Sequence, residues 1–378
     1  MAKTRTATVF ACLAVGIVAL IAGFVVLQII ESVLDWLWFS IAPGLSTPLM
    51  WIFVLALPVI AGTLVAMIRK AGNDGHNPLT GIAMSPVEPA DYPSIIGGIA
   101  ITLIGGLVLG PEAAMVCTGA AVGAFLGSRI GLDVKTRTIA GIAGSVIALF
   151  IKPILHGNFD VASDYQFRFI DLIGAAFVGV LTGLLIWCVR WLAIRIGEHP
   201  LFVNPNVLAT AVVGLLVGLL AMIYHSTTGH SVALVMTSGE SNVKHLLAIG
   251  SVGGILLTMA FKWVGYALSM GGGFRGGPYF PAIFLGAGVG GIVTLIAPDI
   301  AHAGAAAGIT AAVVYLAHPK WTIVVAFSII MGLIAGGFAT IPIAIVAGFF
   351  AKFVPEQKPN THPQEDPEPK STVPSATN

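Results

Sequence analysis

Charge is scarce in this chain: Lys, Arg, Asp and Glu make up 9% of its 378 residues, where a soluble domain carries about 25%. So few charges cannot cover a water-facing surface of this size. That excludes a soluble enzyme, a nucleic-acid binder and a disordered scaffold as the main body. An excess of either sign is missing too, since the net charge is only +1, so no polyanionic partner is indicated. Cysteine is equally sparse. Cys12, Cys117 and Cys188 stand far apart in apolar stretches, without the spacing of a metal site or a redox pair, and read as small core residues. The sequence holds no phosphate loop, zinc spacing or dinucleotide fingerprint, and it calls for no cofactor and no metal.

What remains is apolar sequence and glycine. Apolar residues are 57% of the chain and the mean hydropathy is +0.95. The 46 glycines amount to about 12% against a usual 7% or so. Apolar runs recur at 8–30, 49–68, 94–109, 113–126, 139–155, 169–189, 206–224, 246–270, 279–297, 305–316 and 321–350. Several approach the roughly 20 residues that cross a bilayer and others fall short. Helices that stop inside a membrane are tolerated only where their ends are buried in protein or line a wet cavity. The chain therefore reads as an all-α polytopic membrane protein with broken, re-entrant helices.

The first run is longer than the apolar core of a signal peptide and reads as an uncleaved span. Basic residues gather at Lys3 with Arg5, at Arg69 with Lys70, and at Arg129 with Lys135 and Arg137, which places the N-terminus in the cytoplasm. The sequence from 1 to 354 is expected to form the transmembrane domain. Beyond it, 355–378 holds six prolines and mixed charge and reads as a disordered, solvated cytoplasmic tail.

An internal repeat gives the clearest organisation. Gly110-Pro111-Glu112 through Gly123 matches Gly277-Pro278-Tyr279 through Gly290 at a constant offset of 167 residues, which predicts two halves of one fold, roughly 49–200 and 201–353. Each copy sets Gly-Pro directly before an apolar helix, and proline suits a helix start because its missing N–H would be unbonded there anyway. Small residues four apart follow: Gly119, Gly123 and Gly127 in one copy, Ala282, Gly286 and Gly290 in the other. That stripe reads as helix packing.

Glu112 is an acid in apolar surroundings, where a central charge costs roughly 2.5 to 3.5 kcal/mol by insertion scales. At the second position of a helix, free N–H groups and the positive dipole end would stabilise it, and would hold a permeating anion equally well. A carboxylate competing with an anion for one helix terminus is a gate, opened when protonation swings it away. The plainer reading is a capping glutamate at a membrane surface. In the second copy, the glycines of 271–277 suit an anion nest, and Arg275 either attracts anions toward it or anchors at the interface.

Val108-Leu109-Gly110-Pro111-Glu112 resembles the Gly-Lys/Arg-Glu-Gly-Pro signature of the CLC chloride channels and chloride/proton antiporters. Gly277-Pro278-Tyr279-Phe280-Pro281 resembles that family's Gly-x-Phe-x-Pro motif. The fuller run Gly-Phe-Arg-Gly-Gly before it is most similar to the bacterial YfeO branch. The resemblance covers nearly the whole chain in span order. It implies a homodimer in the plasma membrane, a bundle of inverted repeats, and one pathway per subunit for small inorganic anions, with chloride foremost. Glu112 falls on the gating position, and Gly75, Gly110, Ala113, Gly277, Tyr279 and Phe280 on the anion-binding positions.

Departures from the pattern bear on mechanism. In Gly72-Asn73-Asp74-Gly75-His76-Asn77-Pro78 the central serine of the family's first motif becomes Gly75. Pro111 and Pro278 lack the N–H that family members present there. The central tyrosine of the family's last helix and its intracellular proton-transfer glutamate have no evident counterpart. Asp160 lies near the latter's place and reads first as a loop residue. The missing glutamate favours a passive or gated anion pathway over the alternative of a proton-coupled antiporter, a fluoride exporter stays open as a further alternative, and selection is assigned to helix N-termini rather than to a buried cation.

Lys152 and Lys262 are expected to snorkel and Asp171 to pair or snorkel. His225 through Ser231 reads as a polar loop. From other classes, an intramembrane enzyme would need a nucleophile and a base converging at one depth, where Glu112 is the one acid clearly within a span, and a non-transporting scaffold would make Glu112 dispensable.

Overall fold

The computed structural model describes residues 2–72, 75, 77–80, 85–157 and 159–359, and among these every regular element is helical. The principal helices are α1 (Ala2–Asp35), α2 (Thr47–Ala71), α3 (Tyr92–Ile104), α4 (Glu112–Val122), α5 (Val134–His156), α6 (Asp171–Gly197), α7 (Val207–Thr228), α8 (Val252–Gly271), α9 (Tyr279–Ile296), α10 (Gly304–Ala317), α11 (Trp321–Gly336) and α12 (Ile341–Lys352). Among the described residues seven helices are long and apolar enough to cross a bilayer, and α3, α4, α10, α11 and α12 are shorter. The 11 residues of α4 rise about 17 Å, roughly half of a hydrocarbon core. The outer faces of α1 and α2 expose Phe10, Ile17, Ile21, Ile52 and Met67, an apolar surface suited to lipid.

Glycine and proline set the breaks. The run 321–350 is two helices rather than one, because Gly337 at φ +79 ends α11 and Pro342 sits in the first turn of α12. The run 246–270 is divided by Gly250 at φ +64, after which Ser251 caps α8 by accepting the Gly254 N–H. His225 to Thr228 form the last turn of α7, closed by Gly229 at φ +72, so the expected loop begins later.

The small-residue stripes let backbones touch. A Cβ on Gly119 would meet the Gly141 carbonyl of α5 at 2.5 Å, and one on Gly123 would overlap the Arg137 carbonyl. In the second copy Gly286 lies on Gly308 and Gly290 on Gly304. Gly308 and Gly304 follow Gly141 and Arg137 by the same 167 residues, so the register runs past the motif into the next helix.

Two reciprocal contacts join the copies. Helices α2 and α7 cross with Gly62 on the Thr210 carbonyl and Gly214 on that of Pro58. Gly110 and Gly277 exchange both backbone hydrogen bonds at 2.7 Å as an isolated antiparallel pair.

Several side chains differ from expectation. Lys262 does not snorkel: it is fully buried, donates to the carbonyls of Leu234, Val235, Met236 and Thr237 at 3.1 to 3.5 Å, and lies 4.6 Å from the Phe284 ring centroid. Four carbonyls and a ring face replace its water. The Lys152 side chain lies outside the described residues. Asp171 pairs with Arg168 at 2.6 Å and accepts from Tyr165 at 2.8 Å. Burial, and next that carboxylate, push the Tyr165 hydroxyl up to about 12. Cys117 is buried and Cys12 half-buried, but Cys188 is exposed on α6 rather than a core residue.

The segment after α12 begins docked rather than solvated. The Pro355 carbonyl accepts from Tyr315 at 3.2 Å and the Gln357 carbonyl from Arg190 at 2.8 Å. Residues 360–378 of the expected tail lie outside the described residues.

Candidate functional site

The two Gly-Pro helix starts meet at the bundle centre. Pro111 precedes α4 with φ −79 and ψ 1, and Pro278 precedes α9 with φ −91 and ψ −8, so the two turns share nearly one backbone shape. Glu112 and Tyr279 are each the first helical residue, one earlier than expected for Glu112, a difference within the convention for helix ends. Helix α8 braces both. Its Ser269 Oγ accepts the Val108 N–H at 3.0 Å on the first copy, and its Tyr266 hydroxyl donates to the Pro278 carbonyl at 2.5 Å on the second.

Glu112 is 5% exposed. Its side chain crosses to the other copy, where Oε1 accepts the Phe280 N–H of α9 at 2.6 Å. Its own N–H and that of Tyr279 also bear on the carboxylate. Oε2 has no hydrogen-bond partner among the described residues. One anionic group thus sits at the positive ends of two helices, among N–H groups that have no helical acceptor. A Cβ on Gly110 or Gly277 would overlap Glu112 Oε2, so only glycine at both positions leaves the carboxylate its place. The Phe280 ring stacks on buried Phe159 at 5.7 Å, which steadies the turn that offers the Phe280 N–H.

Of the positions expected to bind the anion, Gly110, Gly277, Tyr279 and Phe280 surround Glu112, and Ala113 is buried in the same first turn. The rest lie against other partners. Gly75 turns at φ +75 against the Ile95 side chain of α3, while Asn73, Asp74 and His76 lie outside the described residues. Arg275 is buried rather than interfacial. Its N–H donates to Thr102 Oγ1 at 3.3 Å and its Nη1 to the Phe274 carbonyl at 3.2 Å. Asp160 occupies the turn after α5, its N–H on the Gly157 carbonyl at 3.1 Å and its Oδ1 buried without a partner among the described residues.

Sequence reasoning passed over Tyr266, Ser269 and Arg190. The first two carry no signal beyond being polar residues on an apolar helix. Arg190 has one: apolar residues on both sides, Val189 before it and 191–194 after it, within a single span. Among the described residues no group of His, Cys, Asp and Glu is placed to hold a metal ion.

Residues 138–356 match the family model described as voltage gated chloride channel. The chain is 25% identical over 343 residues to YfeO of Escherichia coli (strain SE11), a protein named for ion transport, covering 76% of this chain and 79% of that one. YfeO of Shigella boydii serotype 18 (strain CDC 3083-94 / BS512) matches to the same extent. Among solved structures, a slow cyanobacterial Cl-/H+ antiporter superposes with a TM-score of 0.71 at 16% identity, over 92% of this chain and 94% of that one. A CLC-type fluoride/proton antiporter superposes with a TM-score of 0.60 at 15% identity, over 94% and 96%. These likenesses establish the helical, multi-pass membrane fold.

Proposed function

The chain belongs to the voltage gated chloride channel family, and from that premise we propose that it carries small inorganic anions, chloride foremost, along a pathway gated by Glu112. One observation carries the reading. The Glu112 carboxylate lies on the Phe280 N–H at 2.6 Å, in the place where two helix starts would otherwise hold a free anion. Ionised, the side chain competes for that place. Protonated, it loses its attraction to both dipoles and yields, so flux is low at high pH and rises as pH falls.

In this reading the protein sits in the plasma membrane as a homodimer, with one pathway per subunit and both termini in the cytoplasm. Each half, roughly 49–200 and 201–353, supplies one interrupted helix at the ion. Tyr279 and Phe280 lend backbone N–H groups, and Gly110 and Gly277 keep the space open.

Chloride efflux from proteoliposomes, with voltage and proton gradient varied separately, tests the gate. Wild type is expected to speed up toward acid pH and Glu112→Gln to run fast at every pH. An unchanged rate and pH response in the variant would sink the gate. A proton-coupled reading also has an observation behind it: Asp160, with its buried Oδ1, follows Phe159, which stacks on Phe280. Chloride driven uphill by a proton gradient alone, and lost in Asp160→Asn, would select that reading. Running the same assay with fluoride compares the two anions.

A further inference from the structure

A basic cavity lies away from the gate, at the far end of the helix that Glu112 begins. The connection from α4 to α5 turns back beside residues 86–90, and between them opens a cavity of about 670 Å³, a volume usual for small-ligand sites. Arg129 and Arg137 line it, together with Val87, Glu88, Phe125 and Val134. Among the described residues neither guanidinium donates a hydrogen bond or forms an ion pair, with Glu88 or any other acid.

Each arginine is placed without engaging its side-chain donors. The Arg129 guanidinium lies over the Phe125 ring, 3.9 Å from the centroid, a contact that leaves its N–H edge free. The Arg137 stem packs on Gly127, where a Cβ would overlap it. Its Nε is buried without a hydrogen-bond partner among the described residues. A cation fixed in this way is partly withdrawn from water with no counter-ion, which is costly until an anion arrives. The fold itself does not ask for it. At the same offset of 167 residues the second copy has Ile296 for Arg129 and Gly304 for Arg137, and there α9 and α10 still pack, with Gly290 on Gly304.

The rim is amphipathic. Phe125, Val134 and the neighbouring Ile130 are exposed apolar side chains, set among Arg129 and the exposed Lys135. Such a mixture suits the boundary between lipid headgroups and acyl chains. Arg129, Lys135 and Arg137 also belong to the basic clusters that set the orientation, so in the topology proposed above the cavity faces the cytoplasmic leaflet, whose anionic lipids attract such clusters. We propose that this cavity binds the headgroup phosphate of an anionic phospholipid, with Arg129 and Arg137 donating to its oxygens and Phe125 and Val134 lying along its glycerol and acyl chain. Guanidinium matches phosphate geometry well. Glu88 is the one acid lining the cavity, and its repulsion favours a singly charged phosphodiester over a polyphosphate. The bound lipid supplies the missing counter-charge and fastens the turn between α4 and α5.

The experiment is native mass spectrometry of the full chain, released from detergent and titrated with phosphatidylglycerol, phosphatidylcholine or inorganic phosphate. Phosphatidylglycerol is expected to bind more tightly than phosphatidylcholine, and to raise the thermal unfolding temperature in detergent. Arg129→Gln and Arg137→Gln are each expected to weaken its binding roughly tenfold, the worth of one lost charged hydrogen bond. Lys135→Gln, on the same turn but outside the cavity lining, is expected to bind as wild type does. Arg129 is exposed, so Arg129→Gln decides the matter where Arg137→Gln fails to fold. Equal weakening by Lys135→Gln and the arginine variants would mean diffuse charge attraction and overturn the site, as would phosphatidylcholine binding as tightly as phosphatidylglycerol. Inorganic phosphate held at the arginines in place of the lipid makes this a site for a soluble anion and likewise overturns the proposal. Chloride efflux is a separate readout: a wild type that binds the lipid but passes no anion keeps this site and removes the transport reading.

Discussion

The two helix starts share a Gly-Pro turn of nearly one backbone shape and differ in the side chains that follow it. Pro111 and Pro278 adopt nearly the same angles, Gly110 pairs with Gly277, and α8 braces both turns. At the next position the first copy has Glu112 and the second Tyr279. The first copy therefore contributes the carboxylate, which the proposed gate moves, and the second contributes the Phe280 N–H on which it rests. A repeated backbone can divide its labour through its side chains, and here the carboxylate accepts from the copy it does not belong to.

The comparison can be broken most sharply from the second copy. Gly277→Ala places a methyl group on the carboxylate position, and is expected to raise chloride efflux at neutral pH about tenfold, as though some 1.4 kcal/mol had been taken from the closed state. Slower efflux with the pH response intact would mean that the carboxylate rests elsewhere. Next come the packing glycines. Gly141→Ala and Gly308→Ala press a methyl group on the Gly119 and Gly286 carbonyls of the respective copies. Each is expected to cost about 1 to 3 kcal/mol, measured as thermal unfolding in detergent. A large difference between them would deny that the copies pack alike.

The braces sharpen it further. Ser269→Ala orphans the buried Val108 N–H of the first copy at about 1 to 3 kcal/mol, whereas Tyr266→Phe removes one donor from the Pro278 carbonyl of the second at about 1 kcal/mol. Unfolding should rank them in that order. Smallest is Tyr165→Phe, which lies outside both starts and loses the bond to Asp171 for about 0.5 to 1.5 kcal/mol. The pH dependence of efflux is expected to stay as in wild type, and a shift there would extend the gate beyond the two starts.

Much of this was legible in the sequence because it is local. Apolar runs mark helices, Gly-Pro marks starts, and the 167-residue offset marks Gly110 and Gly277 as equivalent positions, though not as bonded ones. The acid itself is visible from its apolar company. Its partner is not: nothing near Glu112 in the chain says that Phe280, 168 residues away, will donate to it. Buried cations escaped for a related reason. Snorkelling is read from a side chain's own length, whereas Lys262 is held by four carbonyls of the segment 234–237 and Arg190 by Leu79 and Gln357. The break at Gly337 was likewise hidden, since an apolar run reads the same whether or not one glycine takes a positive φ.

The Gly110 and Gly277 pair has a mechanical consequence. It rivets the two copies together at the residue just ahead of each helix start, with both bonds at 2.7 Å. If one half rocked against the other, each cycle would shear the rivet and strand two donors and two acceptors away from water, at several kcal/mol. In the proposed gate the cheap stroke is instead a turn of the Glu112 side chain about its own single bonds, with the bundle as stator and a single carboxylate as rotor.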